Sequence, residues 1–142
     1  LDFGMTNSVI EALYRLNTRN QAYVAAQLRA LDLTIHQARS LQFIAQHPQT
    51  NQKALAHYLG KHDATVTNLL KVLEKRQLLT RMLTPGDERQ KQLTLTAAGQ
   101  AAVASAQAIF AHREQQIAEL LSAMGHEQLV HTLQNLAGQL DQ

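Results

Sequence analysis

Cysteine is absent from the 142-residue chain, which excludes a disulfide framework, thiolate catalysis, cysteine-rich zinc sites and any thiol redox switch. Long apolar runs are absent too. None approaches the roughly 20 residues that span a bilayer as a helix, so no membrane partner is expected. The opening stretch LDFGMTNSVIE has no basic segment leading into an apolar one. No secretory signal is read there, and a cytoplasmic protein is the expectation. A glycine-rich phosphate loop, a nucleophile elbow and a convincing catalytic triad are missing as well, although triad members can lie far apart in sequence. A non-enzymatic chain without a cofactor follows. Seven histidines are present, among them His57, His62, His112, His126 and His131, but none forms His-Glu-x-x-His or another compact ligand pattern. Surface or core hydrogen bonding accounts for them, and no metal is assigned.

The chain has enough apolar residues, 45% of the total, for a globular core. At this length, folding buries roughly 68% of the surface that the unfolded chain exposes. The formal net charge of +2 is too small to indicate a nucleic-acid partner by itself. Its distribution says more. Lys61, Lys71, Lys75, Arg76, Arg81, Arg89 and Lys91 face only Asp63, Glu74, Asp87 and Glu88 within the same short segment, while the rest of the chain is close to balance. A local electropositive patch of this kind suits a polyanion.

Periodicity gives mostly helices. Val9, Ile10, Leu13, Leu16, Val24, Leu28 and Leu31 mark a first helix, from Asn7 to about Leu31. Thr34 can cap a second, Ile35 to His47, which Pro48 ends. Asn51 opens a short helix from Gln52 to Leu59, and Gly60 terminates it by tolerating positive φ. A fourth helix runs from Ala64 to Arg76 with Asp63 as its expected cap. Val66, Leu69, Leu70 and Leu73 form its buried face, leaving Thr65, Asn68 and Lys71 outward. Leu79 to Leu83 and Gln92 to Thr96 read as two strands around a Pro85-Gly86-Asp87 turn, with a connection longer than the favoured two residues. Helix resumes at Ala97, is interrupted at Gly125, and ends with Leu129, Val130, Leu133, Leu136 and Leu140 on one face.

Two short helices joined at Gly60-Lys61-His62-Asp63 and followed by a charged hairpin suggest a winged helix-turn-helix. One helix can enter the major groove of B-DNA, roughly 12 Å wide, while its partner braces it. The hairpin can reach neighbouring phosphates or the minor groove. Three regions result: residues 1–34 as an N-terminal helix region, 35–96 as the DNA-binding lobe, and 97–142 as C-terminal helices. The terminal helices either fold back on the lobe or build a dimerisation region, and the latter is the favoured reading.

Leu33-Thr34-x-x-Gln37-x-x-x-Leu41, then QKALAHYLGKHDATVTNLLKVLEKRQLL, then DERQKQLTLTAAG with Asp87-x-Arg89 and Leu95-Thr96-x-x-Gly99, together resemble the MarR family of bacterial winged helix-turn-helix regulators. Gln77 departs from the pattern, standing where the family commonly carries glycine. The resemblance implies a homodimer with both termini in its dimerisation region, recognition helices in successive major grooves of a pseudo-palindromic operator, and transcriptional repression by occlusion of promoter DNA. It also implies a small aromatic or lipophilic effector near the helical junction, for which Tyr14, Arg15, Tyr23, His36 and Arg39 are the candidates.

The DNA-binding candidates are His62, Asp63, Thr65, Thr67, Asn68, Lys71, Lys75, Arg89 and Lys91. Short polar side chains on the fourth helix can read base edges, and an Asn amide can pair with adenine in a bidentate manner. Lysines at phosphates would add affinity and salt dependence. Lys75 has two readings, a local pair with Glu74 or a DNA contact. Arg89 is the leading wing residue, since its guanidinium can grip phosphate or enter a narrow minor groove. Asp87 is expected to orient Arg89 from two residues away. The competing function is a helical adaptor or scaffold dimer whose winged domain is merely structural.

Overall fold

The computed structural model describes residues 6–84, 86–122 and 125–141, excluding the side chains of Thr84, Asp87, Glu88 and Arg89. The chain forms two compact units, Leu1–Ile109 and Phe110–Gln142. In the first, α1 (Val9–Leu28) starts at Ser8, whose hydroxyl accepts from the Glu11 amide at 3.1 Å. A 3-10 turn at Arg29–Leu31 follows, and Asp32 then reverses the chain in the left-handed region at φ 54°. α2 (Ile35–Gln46) opens with a reciprocal capping box: Thr34 Oγ1 accepts from the Gln37 amide while Gln37 Oε1 accepts from the Thr34 amide. Two orphan donors are satisfied at once, the physical content of the Thr34-x-x-Gln37 signal.

α3 (Gln52–Leu59) is capped by Asn51, whose Oδ1 accepts from the Ala54 amide at 2.9 Å, and it ends on Gly60 at φ 63°. α4 is Asp63–Lys75. The expected cap therefore moves by one residue. His62 holds the extended N-cap conformation, Asp63 is already helical, and no side chain caps the first amides. The Asp63 carboxylate instead sits in the first turn, where the helix dipole favours negative charge. Leu28, Leu41, Leu55, Leu70, Leu73, Leu79 and Leu93 are almost wholly buried, drawing helices and hairpin onto one core.

The hairpin strands β1 (Leu79–Thr84) and β2 (Asp87–Leu95) pair antiparallel, Leu79 with Leu95 and Thr84 with Asp87, with a register shift between Leu83 and Thr84. The returning strand begins five residues before the expected Gln92. DERQK carries no apolar alternation to reveal it, since backbone pairing there needs no buried face. A further bridge joins Asn51 to Gln92, and the Leu93 amide donates to the Thr50 carbonyl at 2.8 Å.

Between α4 and α5 (Ala97–Leu120) the chain is tied by Thr96. Its hydroxyl donates to the Gln77 carbonyl at 2.6 Å and accepts from the Gly99 amide at 3.0 Å, and its amide donates to the Leu78 carbonyl at 3.1 Å. A β-carbon on Gly99 would overlap the Leu78 carbonyl, so only glycine lets the first turn of α5 approach this closely. Gln77 itself adopts φ 59°, the conformation for which the family's glycine is suited. In the second unit, α6 (Gly125–Leu140) has no buried residue among those described, and His126 Nε2 lies 2.7 Å from Glu114 Oε1.

Gly99→Ala should destabilise the fold by about 3 kcal/mol, the upper range for overpacking, whereas Gln77→Gly should stabilise it by about 0.5–1 kcal/mol once left-handed strain is set against added unfolded-state freedom. Thermal melts of both variants at one protein concentration check this pair. A Gly99→Ala chain as stable as wild type would show that Leu78 and α5 can separate without penalty.

Candidate nucleic-acid interface

The rotation of α4 about its axis is set by Val66, Leu70 and Leu73, each fully buried. Helical spacing then leaves Thr65, Asn68, Lys71 and Lys75 exposed along one side, at intervals of three and four residues. His62 and Asp63 are exposed at the N-terminal end. Because the His62 side chain makes no capping hydrogen bond, this end leaves first-turn amides for external acceptors.

Thr67 is placed differently. It is half-buried and turned toward α3, where Gln52 Nε2 donates to its hydroxyl oxygen at 2.7 Å and to the Asp63 carbonyl at 3.4 Å. Thr67 lines an open groove of about 420 Å³ together with Asn51, Gln52, Arg81, Gln90 and Lys91. The wing is held to α3 by Asn51, whose Nδ2 donates to Gln90 Oε1 at 2.9 Å. One Asn side chain thus caps a helix with its oxygen and anchors the hairpin with its nitrogen.

The basic residues divide into two groups. Arg81 donates to both carboxylate oxygens of Glu74, at 2.9 and 3.4 Å, and is only 16% exposed. Arg76 donates to the Asp32 carbonyl at 2.6 Å. Lys61, Lys71, Lys75 and Lys91 remain exposed. Glu74 is paired with Arg81, and Lys75 is exposed. By charge alone, Arg81 belongs to the electropositive patch. Strand alternation sets it on the same face as the buried Leu79, and a cation so placed must find an acid. The Arg81 side-chain hydrogen bonds hold the Glu74 carboxyl below its ordinary value against the opposing effect of burial, with the charges of Arg81 and Lys91 adding to the lowering.

The Asp87 and Arg89 side chains, expected to pair at the wing tip, lie outside the described ones; their backbone belongs to β2. Of the effector candidates, His36 lines a separate open cleft of about 270 Å³, beside Ala25, Leu33 and Ile35. Partial burial, then the charges of Lys61 and Arg39, lower its pKa. Arg39 Nη1 donates to the Tyr58 hydroxyl at 3.3 Å, and Tyr58 stacks on Phe43. Arg15 pairs with Glu11 on its own helix at 2.8 Å, Tyr14 is exposed, and Tyr23 is half-buried. These four do not line the cleft with His36.

The sequence model of the MarR family matches residues 33–91, from the residue before the Thr34 cap to Lys91 in the wing. Over that span the chain is similar to the MarR family. Among solved structures, the transcriptional repressor CouR bound to a 23-mer DNA duplex is similar to it with a TM-score of 0.86, at 29% identity, over 96% of this chain and 98% of CouR. The Staphylococcus aureus MepR–DNA complex gives a TM-score of 0.84 at 26% identity, over 94% of this chain and 98% of MepR. A further structure of MepR, a transcription regulator of the multidrug efflux pump MepA, gives 0.71 at 25% identity, with 94% and 98% covered. Curated proteins yield no match. Among the described residues, no helix is long and apolar enough to cross a membrane, and no group of three or more His, Cys, Asp or Glu residues could hold a metal ion.

Arg81→Met should return the Glu74 carboxyl toward its ordinary value of 4.5, as followed by NMR titration. The folded value lies below the unfolded one, so this pair stabilises the fold above the unfolded pKa, and its contribution is lost as pH falls through the folded pKa. A carboxyl that stays depressed in the variant would assign the shift to another cation.

Proposed function

We propose that this chain is a sequence-specific double-stranded DNA-binding transcriptional repressor, without enzymatic activity, that occludes promoter DNA in the bacterial cytoplasm. The observation that carries the reading is the outward stripe of Thr65, Asn68, Lys71 and Lys75 on α4, beside an uncapped helix end. This arrangement sits in a MarR-family domain whose structural relatives CouR and MepR have been solved on DNA. Thr65 and Asn68 suit base edges; Lys71, Lys75 and Lys91 suit phosphates; His62 and Asp63 stand where the helix enters the groove. Arg89, with Asp87 orienting it, would extend the contact from the wing.

A homodimer fits the apolar side chains left uncovered. Val9, Ile10, Leu13, Tyr14 and Leu16 on α1, and Leu129, Val130, Leu133, Leu136 and Leu140 on α6, are all exposed in the single chain. Large apolar patches on soluble proteins mark interaction surfaces. A second copy supplies the same surface in complementary, two-fold form. Residues 1–34 and 97–142 would then serve dimerisation and 35–96 would bind DNA, with the recognition helices about 34 Å apart on a pseudo-palindromic operator. A small aromatic or lipophilic effector would use the cleft bordered by His36, with Tyr14, Arg15, Tyr23 and Arg39 contributing where the second copy completes the site.

Fluorescence anisotropy tests the DNA reading, using the duplex upstream of the protein's own gene, a shuffled duplex, and a duplex enriched by the protein from a randomised pool. The upstream or enriched duplex should bind more tightly than the shuffled one, and less tightly as salt rises. Lys71→Ala should reduce the salt slope by about one without changing the sequence preferred, Asn68→Ala should remove about 1–3 kcal/mol of discrimination at one base pair, and Arg89→Ala should weaken binding overall. No enrichment, with equal and negligible binding to every duplex, would sink the proposal and leave the adaptor or scaffold dimer as the better account.

A further inference from the structure

The side-chain amide of Gln52 spans the gap between α3 and α4. Its Nε2 lies 2.7 Å from Thr67 Oγ1 and 3.4 Å from the Asp63 carbonyl oxygen. A carbonyl can only accept, so the NH2 end of the amide must face both atoms; the flipped amide would set two carbonyl oxygens against each other. A threonine within a helix often returns its own proton to the carbonyl four residues back. Here that carbonyl is Asp63, and it takes the Gln52 amide instead. Among the described residues none accepts from the Thr67 hydroxyl.

The consequence is directional. The hydroxyl oxygen accepts on its α3 side, which leaves its proton free to turn toward the groove that Thr67 shares with Arg81 and Lys91. We infer that Gln52 is a positioning residue that presents Thr67 as a hydrogen-bond donor to bound DNA. A hydroxyl held this way favours acceptors, either a phosphate oxygen or the base-edge acceptors purine N7, guanine O6 and thymine O4. It favours them over the amino groups of adenine and cytosine. Without Gln52 the hydroxyl rotates, and it donates and accepts alike. Gln52 itself touches no DNA in this account. The inference rests on the DNA-binding reading above and adds to it the chemistry of one contact.

The test is a double-mutant cycle on the full chain, with the duplex that wild type enriches from a randomised pool and a set of its single-base variants. Thr67→Val should weaken binding about fivefold, as expected for one hydrogen bond, and Gln52→Met should weaken it by about as much. In the Thr67→Val background, Gln52→Met should have little further effect, less than about twofold, because residues acting through one bond are not additive. In the Thr67→Ser background, which keeps a hydroxyl, Gln52→Met should again cost about fivefold. Losses confined to one base position place the acceptor on a base edge, and losses equal across all variants place it on a phosphate; both support the donor assignment. Additive losses in the Thr67→Val background, or an unaffected Gln52→Met chain, overturn it while leaving DNA binding intact. A wild-type chain that enriches no sequence overturns the DNA reading, and the donor assignment with it.

Discussion

The chain reversal after α4 is the constraint on which the winged arrangement depends. Gln77 must adopt a left-handed conformation there, so that Leu78 can enter the core and β1 can start immediately. Thr96 holds the reversal from the other side. Its hydroxyl and amide satisfy the Gln77 and Leu78 carbonyls while the same hydroxyl starts α5. Four elements thus meet in one network: the end of α4, both hairpin strands and the first turn of α5. Gly99 is the steric condition for that meeting. The Leu95-Thr96-x-x-Gly99 pattern is therefore a packing device that fixes how the chain leaves α4.

The opposite end of the interface depends on two adjacent amides. Asn51 links α3 to the wing through Gln90, and Gln52 links α3 to α4 through Thr67. Neither bond is strong by itself; a neutral hydrogen bond contributes about 1 kcal/mol net. Their value is geometric, because α3 is thereby tied to both α4 and the wing. Arg81 and Glu74 add a third link, from the hairpin to α4. Part of the positive charge in this segment therefore maintains the scaffold, and the lysines that remain exposed supply the outward field.

The elements most legible in the sequence were those whose signals are local. Thr34 with Gln37, Asn51, and Gly60 act within a few residues of themselves, and each does what its residue type dictates. Asp63 was displaced by one position because His62 can hold the extended conformation of a cap without supplying a capping side chain. The early start of β2 was hidden by a charged stretch lacking alternation. Gln77 could be seen as a departure, but only the backbone showed that glutamine adopts the conformation glycine would take. Gln52 with Thr67, Arg81 with Glu74, and Asn51 with Gln90 escaped because they join separate elements. A single sequence records partners of that kind only as individually unremarkable polar residues.

The composition of the α4 stripe explains why such links should matter here. Lysine reaches phosphate on a flexible stem and tolerates small displacements of the helix. Threonine and asparagine are short, so they reach a base edge only if the helix sits deep in the groove and at one rotation. Hydrogen bonds weaken steeply with lost alignment, and a tilt of α4 would forfeit discrimination while leaving most of the electrostatic attraction. In the proposed interface, affinity would reside in the exposed lysines and selectivity in the rigidity of the frame behind them. The residues that set selectivity would then include ones that face away from DNA.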